Sequence, residues 1–151
     1  MHVPNNALVL IADGEKALFL RNEGDEKYLN LQVERKQEQD NPPNREQAAN
    51  RPGRMFDNGD HRSAVDDTDW HELAKDRFAA DLSDRLYKRA YNNDFSDLII
   101  VATPNTLGEL RQHLHVEVLD RLCGEVDKDW TNHPLNEIES LLQKQKARPL
   151  D

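Results

Sequence analysis

The sequence predicts an α/β domain: one mixed β-sheet, in the element order βββαβαβα, flanked by helices. Three observations predict it. Two runs, Ala7–Ala12 and Leu98–Ala102, are apolar throughout, as strands covered on both faces are. Leu29, Leu31 and Val33 alternate with Asn30, Gln32 and Glu34, the two-residue period of a strand with one wet face. Elsewhere, apolar residues recur at three- and four-residue steps, the mark of helices packed by one side.

Taken in order, Ala7–Ala12 is the first strand. Asp13-Gly14 follows it, a pair that tolerates the positive φ of a tight hairpin, and Lys16–Leu20 resumes as the second strand. Asn22–Asp25, with Gly24, supplies a second turn into the alternating Leu29–Val33 strand. Residues 35–67 show no sustained period and hold Pro42, Pro43, Pro52, Gly53 and Gly59, which reads as one long polar loop; loops of this length are usually functional or disordered. Asp66, Asp67 and Asp69 then put negative charge where a helix begins, with Thr68 or Asp69 as cap and Glu72 three residues after Asp69. Trp70, Leu73, Ala74, Phe78, Leu82, Leu86 and Ala90 share one face of that helix, and Asn92-Asn93 ends it.

Leu98–Ala102 is expected to lie parallel to the first strand, because the intervening helix permits the crossover. Thr103 as cap and Pro104 at the first helical position open the next helix. Its inward face carries Leu107, Leu110, Leu114 and Val118, and Gly108 is expected to let it approach the sheet closely. Glu125–Trp130 reads as a short strand with Val126 inward. Thr131–Pro134 leads into a final helix carrying Leu135, Ile138, Leu141 and Leu142.

Composition narrows the function. The chain of 151 residues suits a single domain spanning 1–151. No apolar run approaches a membrane span, and the N-terminus lacks the pattern of an export signal, so the expectation is a cytoplasmic protein with no membrane partner. The single cysteine, Cys123, excludes an internal disulfide framework and a cysteine-rich zinc site; beside Leu122 it reads as a small buried thiol. A formal net charge of -9 opposes a whole-surface grip on nucleic acid and leaves only a local basic patch.

Motifs for cofactor chemistry are missing. There is no GxGxxG after the first strand and no GxxxxGK[ST], and no cofactor is expected. Six histidines occur without an HExxH, and His113 and His115 fall on different sides of a helix, so no metal site is expected. Paired carboxylates such as Asp66-Asp67 follow from the acidity of the chain and the needs of a helix start.

The most informative stretch is Arg51-Pro52-Gly53-Arg54-Met55-Phe56-Asp57 with His61-Arg62. Proline fixes one dihedral, glycine allows close backbone approach, and the guanidinium forks of Arg51, Arg54 and Arg62 suit phosphate or carboxylate. The ordinary alternative is that these arginines pair with the surplus acids. Leu107-Gly108-Glu109-Leu110-Arg111 and Lys128-Asp129-Trp130-Thr131 form a second pair of interest. The helix after the Leu98 strand starts at the carboxyl end of the parallel strands, where open α/β sheets bind ligands, and Arg111, about one turn in, is placed to reach that edge. Here the alternative is that Arg111 pairs with a neighbouring carboxylate and Lys128 is ordinary solvated polarity.

These motifs carry a family resemblance. LVLIADGEKALFL, RPGRMFD with HRSAVD, FAADLSDRLYKRAY, FSDLIIVATPNTLGELRQHL and EVDKDWTNHPLNEI cover nearly the whole chain in order and resemble the bacterial host attachment family, proteins required for attachment to host cells. Trp130 stands where that family usually has leucine. The resemblance implies a fold like the middle domain of archaeal and eukaryotic peptide-chain release factors, and a link to ribosomes or tRNA. The release-factor GGQ tripeptide is not in the sequence, so peptidyl-tRNA hydrolysis by that chemistry does not carry over.

The resulting expectation is a non-enzymatic binding module in which Arg51, Arg54, Arg62, Arg111 and Lys128 contact RNA, in tRNA or the ribosome, or else an acidic protein surface. The competing reading is a hydrolase of a phosphate or ester, with His61 as general base assisted by Asp57 or Asp60. A third is a homo-oligomer in which the long loop wraps a neighbouring subunit.

Overall fold

In the computed structural model, five strands, β1 (Leu8–Ala12), β2 (Lys16–Asn22), β3 (Leu31–Glu38), β4 (Leu98–Ala102) and β5 (Leu122–Val126), form one sheet in the spatial order β3-β2-β1-β4-β5. The helices are α1 (Phe56–Tyr91), α2 (Pro104–His113), the single turn α3 (Val116–Leu119) and α4 (Leu135–Lys144). The backbone is described for residues 1–39 and 56–145, and the side chains for 1–39 and 70–145.

β1 pairs antiparallel with β2, Leu10 opposite Phe19, and parallel with β4, Leu10 opposite Ile100. β4 pairs parallel with β5, and β2 antiparallel with β3. Alternation along β1 and β4 divides the core in two. Leu8, Leu10, Phe19, Leu98 and Ile100 meet α1, α2 and α3 on one face. Val9, Ile11, Ile99, Val101 and Trp130 meet Ile138 and Leu142 of α4 on the other. Both faces of β1 and β4 are covered, which is why their sequences are apolar at every position. Each fully buried Leu or Ile contributes on the order of 1.5–3 kcal/mol.

Local chemistry sets the ends of the elements. α1 ends at Asn93, which is left-handed with φ 56°. Asp94 N–H bonds Arg89 O and Asn93 N–H bonds Ala90 O, the paired bonds of a Schellman closure. α2 opens as expected, Thr103 Oγ1 accepting from Thr106 N–H with Pro104 in the first turn. The turn after β2 is organised by Asn22, fully buried, whose amide donates to Val3 O and Pro4 O and accepts from Gly24 and Asn30 N–H. Glycine is required there: a Cβ on Gly24 would lie 2.2 Å from Tyr28 O.

Several expectations need correction. Residues 35–67 are not one loop: β3 runs to Glu38, and α1 begins at Phe56. β3 is an edge strand exposed at most positions, so no alternation marks its outer half, and Val33 is 40% exposed. The start of α1 carries no apolar face from which a period can be read. On α1 the buried stripe is Ala74, Phe78, Leu82, Leu86 and Ala90, while Leu73 is exposed. Gly108 makes no close approach, since a Cβ there would meet nothing within 4 Å; its neighbours Leu107 and Leu110 face the core instead. The predicted Glu125–Trp130 strand is shifted to Leu122–Val126, with buried Gly124 in its middle, and Cys123 is exposed on that edge rather than buried. The Asp13-Gly14 turn uses no positive φ; it is held by side-chain hydrogen bonds.

Candidate functional site

Because β1, β4 and β5 run parallel, their carboxyl ends share one edge of the sheet, and Asp13, Thr103 and Asp127 are the first residues beyond it. Asp13 Oδ1 accepts from the N–H groups of Glu15 and Lys16, both at 2.8 Å. Its other oxygen lies 3.1 Å from Thr131 Oγ1. Thr131, itself buried, also meets Asp129 Oδ1 through its hydroxyl at 2.6 Å and its N–H at 3.1 Å. The hydroxyl of Thr131 holds the Asp129 carboxyl below its ordinary range, against the opposing effect of burial and with help from the Thr131 amide, Lys16 and His133. Lys16 Nζ donates to Asn132 Oδ1. The Lys128-Asp129-Trp130-Thr131 segment therefore fastens the β1–β2 hairpin to the chain after β5, with Trp130 buried in the α4-side core.

A cleft of about 240 Å³ opens beside this fastening, between α1 and α2, lined among others by Asp13, Lys75, Thr103, Asn105, Thr106 and Glu109. The Lys75 stem packs against Gly14, 3.2 Å from where its Cβ would be. The first turn of α2 holds no acidic residue, and Thr103 and Thr106 share a hydroxyl hydrogen bond of 3.0 Å.

The expected binding residues divide as follows. Arg111 lies in the last turn of α2, two turns from its start instead of one, and its guanidinium pairs with Glu125 of β5, whose side chain is only 15% exposed. It is a structural ion pair. Lys128 is exposed on the loop after β5. Arg51 and Arg54 lie outside the described residues. Arg62, His61, Asp57 and Asp60 lie on the helical backbone of α1, outside the residues whose side chains are described. His113 and His115 do not share a helix as expected, since α2 ends at His113: His113 Nε2 lies 2.8 Å from Asp76 Oδ1, while His115 packs on Tyr87 and caps α3 by accepting from Glu117 N–H.

Sequence reasoning missed a ring of charges at the opposite edge. Arg21 and Arg89 each contact both Glu34 and Asp94, at 2.6 to 3.2 Å. Burial opposes ionisation of Glu34 and Asp94, but the two guanidinium groups outweigh it and hold both carboxyls low. No sequence signal marked it, because Glu34 enters the ring through a bulge: Phe19 pairs with Arg35 and Leu20 with Val33, leaving Glu34 as the extra residue.

Among the described residues no group of three or more His, Cys, Asp or Glu side chains is arranged to hold a metal ion, and no helix is long and apolar enough to cross a membrane. A comparison with curated proteins finds no match to the chain. The model of bacterial archaeo-eukaryotic release factor family 12 matches residues 6–142, nearly all of the sheet and helices just described, and the chain belongs to that family.

Proposed function

We propose that this release-factor-like domain is a non-enzymatic binding module that contacts RNA phosphates, in the ribosome or tRNA, at the carboxyl edge of its parallel strands. Arg51, Arg54 and Arg62 are the principal grips and Lys128 lies on the rim. One observation carries the reading: α1 is a single helix from Phe56 to Tyr91, and its Lys75 packs on Gly14 at that edge. Arg62 lies on the same helix ahead of Lys75, about 20 Å further along the axis at the rise of an α-helix. The backbone of Arg62 thereby lies off the edge where Lys128 is exposed, which supports a role for it there. Arg111 takes no part, because Glu125 holds it.

On a chain of net charge -9 such binding has to be local, and local phosphate contacts have a salt signature. Three contacts to single-stranded RNA give a slope of about -2 in log K against log salt. The test is anisotropy of a labelled RNA over a salt series, with the pair Arg54→Ala and Arg62→Ala alongside. The reading expects steep salt dependence in the parent and a shallower slope with weaker binding in the pair. Salt-independent binding, or binding unchanged in the pair, overturns it. Capture of a partner from lysate that survives nuclease points instead to an acidic protein surface.

A further inference from the structure

The seam between β3 and α1 has an unspent pair of guanidinium groups. The bulge at Glu34 turns two consecutive residues of β3 to useful account. Glu34 joins Arg21, Arg89 and Asp94, a set of two cations and two anions that is neutral as a group. Arg35, next in the chain, pairs in register with Phe19, and Gln37 with Ala17. Phe19 and Ala17 both belong to the core beneath α1, so Arg35 and Gln37 share the α1 side of the strand.

From α1, Arg85 Nε donates to Gln37 Oε1 at 2.9 Å. That bond fixes one edge of the guanidinium and leaves its terminal nitrogens available. Lys88 is taken by Asp84 at 3.0 Å. Among the described residues neither Arg35 nor Arg85 forms an ion pair, and Asp81 is the remaining acid on this wall. Two cations against one anion leave a local excess of one positive charge, on a protein that is acidic overall. Burial first, then the nearby charges of Arg35 and Arg89, push the Arg85 guanidinium below its ordinary range, against the opposing pull of Asp81 and Asp84. Beside it is a cleft of about 300 Å³ lined by Gln37, Asp81, Asp84, Arg85, Lys88 and Arg89.

We propose that Arg35 and Arg85 form a binding site for a phosphate group at the β3–α1 seam. Planar guanidinium forks match phosphate oxygens, and one phosphate monoanion would cancel the local excess of charge. The site is separate from the carboxyl edge and stands without the RNA reading of that edge; only the identification of the phosphate as part of an RNA backbone rests on it.

The test follows the arginine Nε–Hε resonances by NMR while inorganic phosphate, and in a second series a short single-stranded RNA, is added at constant ionic strength. The expected result is that phosphate shifts the Arg35 and Arg85 signals and leaves that of ion-paired Arg111 in place. Arg35→Gln, at an exposed position that the fold does not need, is expected to weaken phosphate binding about tenfold, as loss of a charge-assisted hydrogen bond does. If the RNA series moves the same signals, the phosphate source is a nucleic acid backbone; if only inorganic phosphate does, the source is a small molecule and the site stands. Signals unmoved by either probe, or phosphate affinity unchanged in Arg35→Gln, overturn the proposal. The pair Arg54→Ala and Arg62→Ala separates the two readings: it abolishes binding at the carboxyl edge while the seam still answers to phosphate.

Discussion

Asp13 and Thr131 stand 118 residues apart in the chain and meet at 3.1 Å between Oδ2 and Oγ1. The same hydroxyl lies 2.6 Å from Asp129 Oδ1, so one proton serves two carboxylates. Replacing it by a methyl group leaves both acids short of a donor without changing the volume. Thr131→Val is expected to cost about 1–2 kcal/mol, read as a lower urea midpoint at unchanged slope. An unchanged midpoint would mean that water replaces the hydroxyl at no cost.

The ring of Arg21, Arg89, Glu34 and Asp94 sets an acid dependence. Both carboxyls titrate below their ordinary range in the folded protein. Their contribution is therefore fully present above the unfolded-state values, near pH 4, and is lost as pH falls through the lower folded values. Denaturation midpoints measured from pH 7 down to pH 3 are expected to hold until about pH 5 and then decline. In Glu34→Gln the decline is shallower, since one of the linked protons is gone. Identical acid slopes for the two proteins would contradict this account.

Two glycines predict opposite signs. Gly24→Ala drives a methyl group to 2.2 Å from Tyr28 O and 2.8 Å from Asn30 N, so the backbone has to move, and a loss of more than about 1 kcal/mol is expected. Gly108→Ala meets nothing within 4 Å in the interior of α2 and is expected to gain about 0.5–1 kcal/mol from helix propensity alone. Thermal denaturation of the two variants checks both signs in one experiment.

Asn22 is fully buried and ties Val3, Pro4, Gly24 and Asn30 into one turn. Asn22→Ala strands those backbone groups away from water. A loss of about 2–4 kcal/mol is expected, more than for a single hydrogen bond, because several partners are left unsatisfied together. Amide exchange in Gly24 and Asn30 would accelerate with it.

The central sheet was legible in the sequence because burial on two faces leaves a simple mark. Leu8–Ala12 and Leu98–Ala102 have no polar position to confuse with a loop, and Thr103-Pro104 announces α2 through capping chemistry alone. The outer half of β3 and the first turns of α1 were not legible. A segment whose sequence carries no regular spacing of apolar residues has no period to detect, whatever its backbone does. β5 was displaced for a related reason: buried Gly124 has no side chain to declare itself apolar, which leaves Val126 as the clearest inward residue in the sequence. At the carboxyl edge, the start of α2 was placed correctly, and of the two readings of Arg111 the structure shows the pairing with a carboxylate, supplied by Glu125 from β5. The charge ring depended on partners as far as 73 residues apart and on a one-residue bulge, neither of which one-dimensional patterning encodes.

The outermost strand has one more consequence. β3 ends the sheet on its side, and Glu34, Arg35, Lys36 and Glu38 are all exposed along it, with the bulge breaking its pleat midway. A strand arriving from a neighbouring molecule would find charges of both signs and an interrupted ladder of hydrogen-bonding groups. This rim resists polymerisation, so crowded solutions of the protein are expected to stay free of fibrous aggregates seeded there.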